Sequence, residues 1–251
     1  MKQAWRAWMP VVAAAGVLAA GAGCLRVDGS LSLSPSGAGT LRVTYAMPEE
    51  RLNQLEAARD LAERLTAVTG GELPDDPSLQ LPDAFDADKV RAHLQPHLRD
   101  GLSLRKLESG SQNGWRRVDV LLQFANIKSV AQLPILAEWG LYLKKNAKGG
   151  YMLNVVTPDL SGDGMLPDLG NPDVAREVSA LLTGLRVTIR ADVPGDILQT
   201  NAARYDVRRA TWEFDYDKEP ASIPKLNRAS LRVDFEGAGL TLPDVDKKPR
   251  G

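Results

Sequence analysis

The sequence predicts an α+β fold: a mostly antiparallel sheet built of hairpins, with three to four packed helices. Three observations carry this expectation. Apolar residues alternate with polar ones in short segments that occur as neighbouring pairs. Turn residues separate the members of each pair. Helical patterns are few, and hairpins outnumber strand–helix–strand crossovers, which disfavours a parallel sheet.

The elements follow in order. Leu25, Val27, Leu31 and Leu33 share one strand face, with Arg26, Asp28, Ser30 and Ser32 on the other. Ser34-Pro35-Ser36-Gly37-Ala38-Gly39 is a turn, and Leu41, Val43 and Tyr45 alternate again to complete a hairpin. Pro48 to Thr69 predicts a helix, with Pro48 at its first position, Glu49 and Glu50 facing the amino-terminal dipole and Gly70-Gly71 ending it. Its apolar stripe reads as Leu52, Leu55, Ala58, Ala62, Leu65 and Val68. Residues 72–86 read as an acidic connector, and 87–98 as a shorter helix that Pro96 kinks or ends.

Two further hairpins are expected. Asn113-Gly114 joins a strand at Leu102-Leu104 to one over Val118–Phe124. Leu141-Leu143 and Tyr151–Val155 flank a second turn at Ala147–Gly150. A short helix lies between these hairpins at 127–139. Residues 158–170 read as a loop, and Asn171 caps a helix reaching Gly184. Strands follow at Leu185–Ala191, Trp212–Tyr216 and Leu231–Phe235, with a turn at Pro194-Gly195 before Ile197. The tail at 238–251 is charged and reads as frayed.

Composition narrows the function. The 251 residues carry 31 basic and 32 acidic side chains, for a net charge of −1, without a long basic run. Nucleic acid is therefore not an expected partner, because phosphate binding needs concentrated positive charge. The start of the chain is more informative. Lys2 and Arg6 precede an apolar, Ala/Gly-rich run over residues 9–23, the pattern of a secretory leader. That run is shorter than the ~20 residues a membrane-spanning helix needs.

The single cysteine, Cys24, follows directly behind Gly21-Ala22-Gly23. This arrangement resembles the lipobox of bacterial lipoproteins, with glycine at position 21 where leucine is usual. The resemblance implies removal of residues 1–23 and acylation of Cys24. Ala20-Gly21-Ala22 also fits an A-x-A site for ordinary leader cleavage. Leu25, where Asp would be an inner-membrane retention signal, implies the outer membrane if the host is Gram-negative.

No motif carries catalytic chemistry. His93 and His97, the only histidines, are spaced i and i+4, but Pro96 intervenes and no HExxH glutamate is present. A surface pair is the favoured reading over a metal site. Asp159 and Asp163 resemble a fragment of a calcium loop without its late glutamate. No G-x-S-x-G elbow, phosphate loop or dinucleotide fingerprint occurs in residues 24–251. No catalytic residue, metal or cofactor is therefore assigned. Trp115, Trp139, Trp212, Phe214, Tyr216 and Phe235 read as core, with a pocket for an apolar ligand as the alternative. Lys144-Lys145-Asn146-Ala147-Lys148 reads as a solvated turn, with contact to phospholipid headgroups as the alternative.

Two stretches resemble the LppM-type domain family of bacterial envelope lipoproteins. The first is Cys24-Leu25-Arg26-Val27-Asp28 with Leu31-Ser32-Leu33 and Ser36-Gly37-Ala38-Gly39-Thr40. The second is Val193-Pro194-Gly195-Asp196-Ile197, Asn201 and Ala210-Thr211-Trp212-Glu213-Phe214. The resemblance spans residues 24–237 and concerns hairpins and core. Ala202-Ala203-Arg204-Tyr205 departs from it, where a tight glycine-bearing turn is common. It implies an exported, lipid-anchored α+β domain, with lipid or glycolipid binding in some members, and it transfers no catalytic residue.

The expectation is a non-enzymatic lipoprotein of the cell envelope, acting as an interaction or structural module. Its partners would be the membrane, through Cys24, and a lipid or an envelope protein. The alternative is a membrane-tethered binder of lipid or another apolar ligand; a hydrolase with a spatially assembled triad is a weaker reading.

Overall fold

Strand β1 (Arg26–Leu33) lies at the middle of the larger of two sheets. In this computed structural model the described residues are 25–70, 77–98, 101–131, 133, 139–158, 182–222 and 224–247. The amino-terminal hairpin is as expected, β1 pairing antiparallel with β2 (Gly39–Pro48) in unbroken register. So is the second, β3 (Leu102–Gln112) with β4 (Trp115–Phe124). Its turn residues Asn113 and Gly114 take φ of 52° and 75°, as a primed two-residue turn requires. The third hairpin joins β5 (Gly140–Lys145) to β6 (Tyr151–Val156).

The remaining strands are β7 (Arg186–Asp192), β8 (Ile197–Thr200), β9 (Arg204–Tyr205), β10 (Arg209–Asp215), β11 (Ser230–Phe235) and β12 (Val245–Lys247). Seven strands form one sheet in the order β3-β4-β2-β1-β7-β10-β9, and five form another in the order β12-β5-β6-β11-β8. The structure thus divides the expected sheet into two. The β1–β7 pair is parallel and every other pair is antiparallel. One continuous core draws on both sheets. Leu25, Val27, Leu31 and Leu33 are buried in it, as their alternation predicts.

Helix α1 (Glu49–Thr69) ends at Gly70 in the left-handed conformation, where glycine carries no Cβ penalty. Its packing differs from the expected stripe. Leu52 is buried, and the half-buried positions after it are Leu55, Arg59, Ala62 and Thr66. Leu65 and Val68 are 57% and 86% exposed. The reason is geometric. At 100° per residue, Leu65 lies about 140° around the helix from Leu52, so a stripe advancing in threes rotates off the packed face.

The acidic connector also differs. It contains α2 (Pro77–Gln80) and a 3₁₀ turn, Leu81–Phe85, in which Leu81, Pro82, Ala84 and Phe85 are buried. The Tyr45 hydroxyl donates to the Ala84 carbonyl, and burial pushes the Tyr45 phenol pKa upward. Asp83 ties this turn to α1 through Arg59, at 2.5 Å. The next helix, α3 (Ala87–Leu94), is capped by Asp86 and gives way to a 3₁₀ turn at Gln95–His97, where Pro96 cannot donate a helical hydrogen bond.

The helix expected over 127–139 is described as α4 (Ile127–Val130); residues 134–138 lie outside the described residues. The same holds for the loop from residue 159 and the helix from Asn171 up to residue 181. The frayed reading of 238–251 is corrected up to Lys247. Leu242 and Val245 are buried, and β12 pairs with β5. A charged tail still forms a strand where alternate residues are apolar and an edge offers hydrogen bonds.

Candidate functional site

The chemistry predicted from sequence belongs to Cys24 and to Gly21, Ala22 and Gly23, which lie outside the described residues. What the structure gives is their neighbourhood. Leu25, one peptide bond from Cys24, is buried, and its carbonyl accepts the Arg186 N–H at 3.0 Å. Consecutive Cα atoms are ~3.8 Å apart, so any group on Cys24 is held next to the folded body.

Register defines the surface beside this point. Arg26 lies opposite Ala46 on β2 and opposite Arg186 on β7. Ala46 lies opposite Arg117 on β4, and Arg186 opposite Asp215 on β10. Register partners share a sheet face, so Arg117, Arg26 and Arg186 stand in one row. Trp115, two residues before Arg117, is on the same face. The Arg26 guanidinium sits 4.2 Å from the Trp115 ring centroid, within cation–π range. Arg186 is engaged by Glu213 at 2.9 Å and Asp215 at 4.0 Å. No carboxylate pairs with Arg26 or Arg117 among the described residues.

Farther along this face, charges are paired across strands. Asp119, 5% exposed, accepts from Arg42 Nε at 2.8 Å and Nη2 at 2.6 Å, and from the Thr44 hydroxyl at 3.1 Å. Lys106 approaches it at 3.0 Å. The Arg42 hydrogen bonds come first in holding its carboxyl far below the usual carboxylate range, against the opposing effect of burial. Arg190 pairs with Asp28, and Arg209 with Asp192. This is a sheet face held together by ion pairs, in place of a second apolar layer.

The residues carrying the second part of the family resemblance form a joint between the sheets. The chain leaves β7, turns at Pro194-Gly195 and enters β8 in the other sheet. Asn201 connects the two: its Oδ1 accepts the Trp212 indole N–H at 3.0 Å and the Arg232 N–H at 2.9 Å, and its Nδ2 donates to the Ser230 carbonyl at 2.5 Å. Within the departing segment 202–205, Arg204–Tyr205 form β9, which pairs with β10. Trp212, Phe214 and Phe235 are buried core residues, whereas Trp115, Trp139 and Tyr216 are half-buried.

His93 is on α3 and His97 at the end of the following 3₁₀ turn, with ring centroids 6.1 Å apart. No group of three or more His, Cys, Asp or Glu placed to hold a metal ion occurs among the described residues. Burial, helped by the neighbouring His97, lowers the His93 pKa to about 4. The unfolded chain therefore binds a proton that the folded one refuses, and stability should fall as pH drops from about 6.5 towards 4. His93→Gln should flatten urea-unfolding midpoints over that window; an unchanged slope would assign the loss to other groups. Asp159 and Asp163 lie outside the described residues. In the Lys-rich turn, Lys144 pairs with Asp246 at 2.6 Å.

A cleft of about 300 Å³ opens between α1, the Leu81–Phe85 turn and β3, lined by Leu52, Phe85, Ser109 and Arg116 with Glu56, Asp86 and Asp88. Its rim is acidic and it does not include the core aromatics apart from Phe85.

No family model matches the chain, and no curated protein matches it. Among solved structures, it is similar to the folded domain of the LppM protein of Mycobacterium tuberculosis, determined by NMR. The TM-score is 0.44 with 11% identical residues, over 86% of this chain and 91% of that one. No helix among the described residues is long and apolar enough to cross a membrane.

Proposed function

We propose that the protein is a lipid-anchored lipoprotein of the cell envelope, acting as a non-enzymatic interaction or structural module. The observation that carries this reading is the position of Cys24. It closes an apolar leader with small residues before it, and it joins directly to the central strand of the folded body. Two or more acyl chains would hold the domain stably, at ~0.8 kcal/mol per buried methylene, where one chain would hold it only marginally.

The protein is then extracytoplasmic, and faces the periplasm from the outer membrane in a Gram-negative host. Its partners are the bilayer and a lipid or an envelope protein. The charged sheet face supports recognition by polar contacts. The buried positions of Trp212, Phe214 and Phe235 favour this reading over a pocket built from those rings. Intact-mass analysis of the native product tests it. The expected mass lacks residues 1–23 and carries acyl groups; an unmodified thiol would refute the proposal.

A further inference from the structure

The row of arginines beside the amino terminus carries more than a fold. We infer that Arg26, Arg117 and Trp115 form a contact surface for anionic phospholipid headgroups, orienting the domain on the bilayer; this rests on the lipid anchor at Cys24 proposed above. Three observations point to it. Cys24 precedes Arg26 by two residues, so a lipid on it would lie beside this row. Arg26 and Arg117 are exposed and have no carboxylate partner among the described residues, whereas Arg186 in the same row is engaged by Glu213 and Asp215. Trp115 is half-buried beneath Arg26, an amphipathic ring of the kind that settles at headgroup depth.

The occupant follows from charge and position. The whole chain is close to neutral, so it has no long-range field to concentrate anions. Two guanidiniums without a carboxylate partner among the described residues, pressed against a bilayer, act locally, within about a Debye length, and bind phosphate with paired N–H donors. The acids on the same face are already engaged, Asp28 by Arg190 and Asp119 by Arg42 and Lys106; Glu49 lies on the other face, against Ser111 and Arg116. Anchoring comes from the acyl chains; the arginines set which end faces the membrane.

The test uses the acylated protein, purified from its membrane and reconstituted on vesicles. One set is phosphatidylcholine; the other contains a quarter phosphatidylglycerol. Flotation reads the anchor, and quenching of tryptophan fluorescence by headgroup-proximal doxyl lipid reads the contact. The part of the quenching lost in Trp115→Phe reports Trp115. That part should be at least twofold larger with phosphatidylglycerol. Arg26→Gln/Arg117→Gln should return it to the phosphatidylcholine level, each arginine contributing about fivefold to headgroup affinity. Arg117→Gln alone, which leaves the Arg26–Trp115 stack intact, should give an intermediate value. Full flotation with quenching indifferent to phosphatidylglycerol and to both arginines would overturn the inference while leaving the anchor standing. Loss of flotation in the unsubstituted protein would overturn the anchor, and the inference with it.

Discussion

Cys24→Ser is expected to transfer the protein from the membrane fraction to the soluble fraction, or to leave it uncleaved with its leader. The sequence holds one cysteine, so no second thiol can form the thioether. Serine has nearly the same size as cysteine, so the substitution removes the thiol with little change in bulk. The effect is therefore confined to anchoring. Loss of the proposed acyl chains would remove tens of buried methylenes at ~0.8 kcal/mol each, far more than surface arginines supply. Fractionation with metabolic fatty-acid labelling checks this; label persisting in the serine variant would contradict it.

The second large effect is expected at the joint between the sheets. A Cβ on Gly195 would collide with the backbone of Glu236, its carbonyl oxygen first. Flexible side chains could yield, but this neighbour is main chain. Glu236 is also fixed by donating its N–H to the Asp196 carbonyl at 2.9 Å. Gly195→Ala must push the strand pair β8–β11 apart, at a cost of about 3 kcal/mol. Gly110→Ala is the control. A Cβ there meets nothing within 4 Å, so the change should stay within about 0.5 kcal/mol. Urea unfolding of the two variants checks the contrast; equal midpoints would remove Gly195 from the joint.

Local signals were legible and distant ones were not. Asn113-Gly114 announces its hairpin because positive φ at two successive residues demands those side chains. The amino-terminal hairpin was legible because each strand alternates on its own. The parallel pairing of β1 with β7 was not, since nothing in residues 26–33 names a partner more than a hundred positions away. The division into two sheets depends on the turn at Gly195, which reads in sequence as an ordinary reversal. The α1 stripe failed because apolar spacing was counted without following its rotation around the helix. Leu81–Phe85 looked like a loop for its proline and aspartate, yet its apolar side chains are buried in the core.

The candidate site divides the same way. The expectation for Cys24 rests on the run before it. The surface beside it had no sequence signal: Arg26 meets Trp115 only because β2 lies between their strands. The pairing of Arg42 with Asp119 had a faint sequence signal, alternation of charge with apolar residues in both strands. Only register decides which charges meet.

The place of β1 within its sheet has a mechanical consequence. A strand at a sheet's rim can be peeled away one bond at a time. β1 is flanked on both sides, by β2 and by β7. With the proposed lipid on Cys24, tension from a bilayer along the backbone would have to shear two ladders together, so the tether is expected to yield by lipid extraction before the strand comes loose.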